Sequence, residues 1–303
     1  MYIIKMKTII YYLAIFAISL ASIGIIKLYS TNPSDGSTIK VSEEVSPTDV
    51  SESFGTKADK VEVPIIMYHN IHKTNETDSK YAVSQADFEN DLKFLSDNGY
   101  TTIVMQDLIN FVQSKSSLPP KPIVLTFDDG YFNNCAHAFP LLQKYNHKAV
   151  ISIIGYYTDQ FTQAPDENPK YSHLTWDDIK KMMESGNIEF QNHSYNLHTT
   201  DKGRNGAKKK RSESLEEYRQ LLTSDLQKLQ DEFTQNTGYT PTTFTYPFGS
   251  VSEASFDIIK ELGFKATLSC ENKTNFLTRD PECLYMLNRF IRTPAVSVKD
   301  ILQ

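Results

Sequence analysis

Three observations predict an α/β fold whose parallel sheet is curled into a closed or nearly closed β/α barrel of seven or eight strands. From Val61 onward, short β-type runs alternate with amphipathic helical stretches, the pattern of parallel strands with helical crossovers. No GxGxxG fingerprint or P-loop marks an open nucleotide-binding sheet. The residues best suited to chemistry directly follow strand runs, and in barrels chemistry gathers at the C-terminal strand ends.

The elements follow in order. VPIIM (63–67) is the first strand run. SQADFENDLKFLSDNG is a helix, with Ser84 as N-cap, Asp87 three residues on, Phe88, Leu92 and Leu95 at helical spacing, and Gly99 as terminator. TTIV is a strand and MQDLINFVQ a helix. PIVLTF (122–127) is a continuous buried-strand run. A helix around FPLLQKYN, the strand KAVISII, a helix TWDDIKKMMESG capped by Thr175 and the strand NIEF come next. A long helix runs from Leu215 to about Phe233, capped by Ser214 with Glu217. TFTY, the helix SEASFDIIKELG, the strand KATLS and a last run MLNRFI complete the set.

Composition sets the bounds. The 303 residues, 40% of them hydrophobic, suffice for one sizeable core. A net charge of -6 argues against nucleic acid as a partner, because phosphate neutralisation needs a basic excess. Thr8 to Ile26 carries no charge and is flanked by Lys5, Lys7 and Lys27, long enough to span a bilayer core of about 30 Å. The expected organisation is a cytoplasmic tip and membrane anchor at 1–29, a Ser/Thr/Pro-rich flexible linker at 30–60 and a catalytic domain at 61–303 outside the cell membrane. A cleaved signal peptide is the rival reading, with Ser19 and Ala21 as its small-residue site, and would make the protein secreted.

TFDDG sets Asp128 and Asp129 directly after PIVLTF, and NIEFQN is followed at once by His193, with His198 five residues beyond. Two histidines and one carboxylate are a ligand set for a catalytic zinc or similar divalent ion with positions left open. A second carboxylate beside such a site suits a general base for hydrolysis.

TFDDG, then H-S-x-x-x-H, then a Pro-aromatic-Gly turn resembles the polysaccharide deacetylase family (NodB homology, carbohydrate esterase family 4) over roughly residues 61–292. The resemblance implies a distorted (β/α) barrel of about seven strands and removal of acetyl groups from a polymer. It implies Asp128 as catalytic base and Asp129, His193 and His198 as metal ligands, zinc being the expected ion. The longer histidine spacing and the opening MYHNI resemble the branch acting on poly-N-acetylglucosamine exopolysaccharide. In that branch an N-terminal histidine protonates the leaving amine, here His69, with His72 as nearest competitor. The substrate implied is an N-acetylated polysaccharide of the extracellular or cell-wall type. Peptidoglycan deacetylation and a non-catalytic wall-binding relative are the alternatives.

Two departures qualify the resemblance. The family's Arg-Pro-Pro-Tyr-Gly is here Thr245-Tyr246-Pro247-Phe248-Gly249. The turn leaves the Phe248 N–H as an oxyanion donor, while the base-orienting arginine must come from elsewhere, Arg289 or Arg292. The late Leu-x-His motif is also missing.

Tyr68, Tyr131, Tyr195, Trp176 and Tyr246 are candidate sugar contacts. KGRNGAKKKR (202–211) reads as a solvated loop. Cys135 reads as a buried small hydrophobe, and Cys270 with Cys283 as a pair able to bridge in an oxidising compartment.

Overall fold

The computed structural model describes residues 60–74 and 79–303. The membrane run expected at 8–26 and nearly all of the linker lie outside the described residues. Among the described residues no helix is long and apolar enough to cross a membrane.

Val61–Val63 (β1) leads into Ile65–Tyr68 (β2), which is buried throughout. Asn70–His72 (β3) pairs in parallel with Ala82–Ser84 (β4). Helix α1, Gln85–Asp97, begins as its sequence predicts, with the Ser84 hydroxyl accepting from the Asp87 N–H at 3.0 Å. Thr101–Ile103 (β5), Met105–Val112 (α2) and Pro122–Phe127 (β6) follow. A π-helical turn at Asn134–Ala138 then runs into Phe139–Lys144 (α3) and Ala149–Ile153 (β7).

The second half continues with Gly155–Gln163 (α4), Trp176–Glu184 (α5), Ile188–Asn192 (β8) and Leu215–Thr237 (α6). It ends with Thr243–Thr245 (β9), Ser255–Glu261 (α7), Ala266–Leu268 (β10), Asn275–Leu277 (β11), Phe290–Ile291 (β12) and Val298–Leu302 (α8). Thr175 and Ser214 cap α5 and α6 through the expected capping boxes.

The central sheet runs in the order β10-β9-β8-β7-β6-β2-β12, every pair parallel, with β5 paired to the first half of β6. Its two ends are joined. Leu268 bridges Leu287 in parallel, the Ser269 N–H donates to Leu287 O at 2.8 Å, and the Leu287 N–H donates to Thr267 O at 2.9 Å. The predicted final run at 286–291 therefore splits. Only Phe290–Ile291 is strand, against β2, while Met286 has a φ of 61° and the residues after it serve the seam.

Strand alternation assigns each side chain to a layer. On β6, Ile123, Leu125 and Phe127 face outward to a cluster with Phe88, Leu92, Leu95 and Trp176. Val124 faces inward to Ile65, Val150, Ala266 and Leu268. At the floor, inward Glu189 accepts from the Met105 and Gln106 N–H groups at the start of α2, both at 3.1 Å. Burial raises its carboxyl to about 7. Toward the mouth the inward positions of β6 to β9 turn polar, with Thr126, Ser152, Gln191 and Thr245.

Helix α4 was not foreseen. Its buried residues are only Gly155 and Thr158, too few to leave a helical period. A Cβ on Gly155 would lie 2.7 Å from the Tyr195 ring and 2.8 Å from Leu229 Cδ1, so glycine is there for close packing.

Arg292 is not at the barrel mouth. Its Nε donates to Asp91 Oδ2 at 2.7 Å, and Asp91 also accepts from the Tyr68 hydroxyl at 3.0 Å and the Val298 N–H at 3.2 Å. This buried network ties β12 and α8 to α1. Removing one partner of a buried ion pair leaves the other charge desolvated and alone. Asp91→Ala is therefore expected to lower the unfolding free energy by about 3–5 kcal/mol. Urea unfolding measures this, and an unshifted midpoint would contradict it.

Candidate metal centre and active-site cleft

Three strand ends turn sharply at the mouth. Asp129 after β6, Ser194 after β8 and Phe248 after β9 adopt left-handed φ values of 72°, 72° and 58°, uncommon for residues other than glycine. Gly130 follows with a φ of 71°, and a Cβ there would lie 2.8 Å from Ile153 Cγ2. These turns aim the neighbouring side chains into one cleft of about 460 Å³. Asp128, Asp129, His193, His198, His69 and Phe248 all line it, as do Met67, Tyr81, Cys270 and Ile291.

Asp129, His193 and His198 each offer a donor atom within 4.8 Å of the others. Asp129 Oδ1 lies 3.5 Å from His193 Nε2 and 3.3 Å from His198 Nε2. It is buried and has no hydrogen-bond partner. His193 Nδ1 sits 2.8 Å from Thr245 O. A carbonyl only accepts, so Nδ1 carries a proton and the neutral ring presents its Nε2 lone pair to the carboxylate.

Two imidazole Nε2 atoms facing one carboxylate oxygen are reconciled by a proton on a ring or by a cation among the three. The donor set therefore fits a divalent ion of the zinc type.

The titrating groups of the site shape one another strongly. Burial works to raise the Asp129 pKa, but His193, with His198 and His69, outweighs it and leaves the carboxyl well below the usual range. Burial, then the neighbouring His193, lowers His198 to about 4 and keeps it neutral. For His193 burial is the largest influence and lowers the pKa, yet contact with Asp129 and the charge of Asp128 leave it raised.

Asp128 is held separately. Arg289, fully buried, donates from Nη1 to Asp128 Oδ1 at 2.7 Å and from Nη2 to Oδ2 at 2.8 Å, a bidentate pair. The same guanidinium donates from Nε to Ser269 O at 2.8 Å and from Nη1 to Thr126 Oγ1 at 3.3 Å. Burial would raise the Asp128 pKa, but Arg289 with His193 overcomes it and the net direction is down. Of the two arginines the sequence offered, Arg289 is the one on Asp128.

Several expected contacts lie elsewhere. Tyr246 is fully buried, with its hydroxyl 2.7 Å from Ser255 Oγ and its ring against Phe244, so it makes no side-chain contact with the cleft. Its neighbour Thr245 takes the inward position. Tyr68 and Trp176 are core residues bonded to Asp91 and Asp159, and Tyr195 bonds Asp159 too.

Tyr131 is half-buried. Its ring lies 4.6 Å from that of His173, and burial, then the Asp129 charge, pushes its hydroxyl up to about 12. His72 is absent from the cleft lining. The basic loop is partly tied down, as Arg204 and Lys209 turn inward to Glu213.

All three cysteines are free. Cys270 Sγ lies 3.6 Å from Arg289 Nη2 and 3.8 Å from Met67 Sδ, while Cys283 Sγ lies 3.8 Å from Thr278 O. Cys270 and Cys283, which could have bridged, do not, and Cys135 is only partly buried.

Sequence reasoning missed Tyr81, whose ring lies 5.0 Å from that of His69, and two buried asparagines. Asn134 Nδ2 donates to His69 O at 2.8 Å, and Asn133 Oδ1 accepts from the Ile71 N–H at 3.0 Å. Their position four and five residues after Asp129 was the available signal.

Residues 115–267 match the family model described as polysaccharide deacetylase. The Bacillus subtilis (strain 168) protein YxkH is 29% identical over 236 residues, 78% of this chain and 73% of that one. The poly-β-1,6-N-acetyl-D-glucosamine N-deacetylase of Staphylococcus aureus is 25% identical over 219 residues, 68% of this chain and 71% of its own. Among solved structures, a de-N-acetylase from Aggregatibacter actinomycetemcomitans superposes with a TM-score of 0.68 at 25% identity, covering 80% of this chain and 98% of that one.

A cation that binds the folded state alone raises thermal stability with its concentration. Adding zinc to chelator-treated protein is expected to raise the melting temperature and to load one ion per chain by elemental analysis. Asp129→Ala and His198→Ala should each lose both effects. Loading retained in both variants would put the ion elsewhere.

Proposed function

The chain belongs to the polysaccharide deacetylase family, and we propose that within it the protein is a divalent-metal-dependent hydrolase. Its proposed reaction removes N-acetyl groups from a poly-β-1,6-N-acetylglucosamine-type polysaccharide. The observation that carries the reading is the convergence of Asp129, His193 and His198 in one cleft beside an arginine-paired Asp128. The Staphylococcus aureus relative, named for that substrate, supports the choice of polymer. The uncharged run Thr8–Ile26 supports a site facing outside the membrane.

Asp129, His193 and His198 would hold the ion, most simply zinc. When bound it supplies a Lewis acid that polarises the acetyl carbonyl and acidifies water. Asp128 takes the proton from the attacking water. Arg289 holds both of its oxygens, but each keeps a second lone pair, and Asp128 lines the cleft.

The backbone N–H of Phe248 donates to the oxygen that gains charge as the tetrahedral centre forms. The turn around it is fixed, because the Gly249 and Ser250 N–H groups are committed to Tyr246 O and Pro247 O, both at 3.0 Å. His69, at the end of β2 on the same cleft, protonates the departing nitrogen. An amine leaves poorly as an anion, which is why a separate acid is needed.

Asp128→Asn should lower kcat by about 10²- to 10⁴-fold while the ion remains bound. A free-amine assay on N-acetylglucosamine oligomers, with metal analysis, checks it. Near-normal turnover in the loaded variant would remove Asp128 as base.

The acid limb of kcat/KM reports the base in the free enzyme. Arg289 depresses the Asp128 pKa, so this limb should lie below the usual carboxylate range and activity should fall only as pH drops through it. In Arg289→Met the desolvation of Asp128 is opposed only by the neighbouring histidines, so the limb should move up in pH. Arg289→Lys keeps the charge and should shift it less. An unmoved limb in Arg289→Met would show that this pair does not set the base.

A further inference from the structure

Besides Asp129 Oδ1, two side-chain atoms buried without a hydrogen-bond partner among the described residues belong to residues in direct contact: His69 Nδ1 and Asn134 Oδ1. The Asn134 amide cannot be flipped to relieve this. Its Nδ2 donates to His69 O at 2.8 Å and to Asn133 Oδ1 at 3.2 Å, and both are acceptors. The Asn133 amide is committed as well, since its Nδ2 donates to Asn70 Oδ1 at 2.7 Å and Pro169 O at 3.0 Å. Asn134 Oδ1 is therefore fixed in orientation, held beside His69 and left needing a donor.

His69 supplies the complement. Its ring lines the cleft and is only partly buried, yet Nδ1 is inaccessible, so the edge carrying Nε2 faces the substrate. A general acid must bear its proton on that nitrogen and have the other held by an acceptor. Two buried polar atoms left without a hydrogen bond would each keep an uncompensated desolvation penalty.

We propose that Asn134 is the positioning residue for His69. Its Nδ2 pins the His69 carbonyl and its Oδ1 accepts the Nδ1 proton through one interposed water, so that Nε2 is aimed at the leaving nitrogen. This rests on the reading of His69 as the general acid. It adds a functional reason for asparagine at the fifth position after Asp129, where one segment carries the base, a metal ligand and the support of the acid.

The test uses two substrates that differ in their need for an acid. Deacetylation of an N-acetylglucosamine oligomer requires protonation of the amine, whereas para-nitrophenyl acetate releases a phenolate that leaves unprotonated. Asn134→Leu, of similar volume, is expected to lose about 10- to 100-fold in kcat on the oligomer. KM should stay within about twofold and para-nitrophenyl acetate turnover near the parent value. Asn134→Ser, which is smaller and keeps a polar atom, should show the same split in milder form and serves if the leucine variant does not fold.

An equal loss on both substrates, or no loss on either, would overturn the proposal. His69→Ala separates the layers. If it retains deacetylation, the assignment of the acid fails. If it shows the split and the Asn134 variants do not, only the role of Asn134 fails.

Discussion

The Asp128–Arg289 pair is the interaction on which the rest of the structure turns. Arg289 stands at the seam, on the segment that joins the two ends of the sheet, and Asp128 is at the end of β6. β12 lies two strands from β6, across β2, so the pair spans one side of the sheet, while the Arg289 Nε bond to Ser269 O reaches the end of β10 at the seam. A guanidinium with no exposed surface is tolerable only because a carboxylate, the Ser269 carbonyl and Thr126 Oγ1 satisfy it. One guanidinium thus holds Asp128 and ties the segment before β12 to the end of β10. The layers beneath contribute too: apolar inward residues fill the middle of the barrel, and at its floor Glu189 caps the start of α2.

The legible part of the site was the part that follows strands. Asp128, Asp129 and His193 sit where apolar runs end, and a parallel sheet brings such ends to one rim. Which arginine meets the base was not legible, because it depends on the face each side chain takes in a run whose register the sequence does not reveal. Around β12, residues 289 and 291 share one face and 290 and 292 the other. Ile291 lines the cleft and Arg289 reaches Asp128 beneath it, while Arg292 turns out to Asp91. One residue of parity separates a positioning arginine from a structural one.

The same parity misled the reading of Tyr246. It lies beside the Pro-aromatic-Gly turn, but Phe244 and Tyr246 face the outer cluster with Phe264, and Thr245 between them faces in. Proximity in sequence to a functional turn is therefore weak evidence for a side chain on a strand, where neighbours point to opposite faces. The left-handed turns at Asp129, Ser194 and Phe248 were equally hidden. None of these is glycine, so no residue type advertised the backbone conformation that aims the ligands.

The two imidazoles of the candidate metal centre are held by different means, and the difference has chemical consequences. His193 is fully enclosed, its tautomer set by Thr245 O, which lies one residue beyond Phe244, the partner of Asn192 in the β8–β9 ladder. His198 comes from a loop, is one-fifth exposed, and rests against the Phe248 ring at 4.2 Å. The buried ligand therefore inherits the rigidity of the sheet, and the loop ligand inherits that of the Pro247–Gly249 turn. That turn also supplies the oxyanion donor of the proposed mechanism, so a shift of Phe248 would move a ligand and a donor together. Coupling them through one ring contact lets a short stretch of strained backbone align both with Asp129, which a flexible loop alone would do poorly.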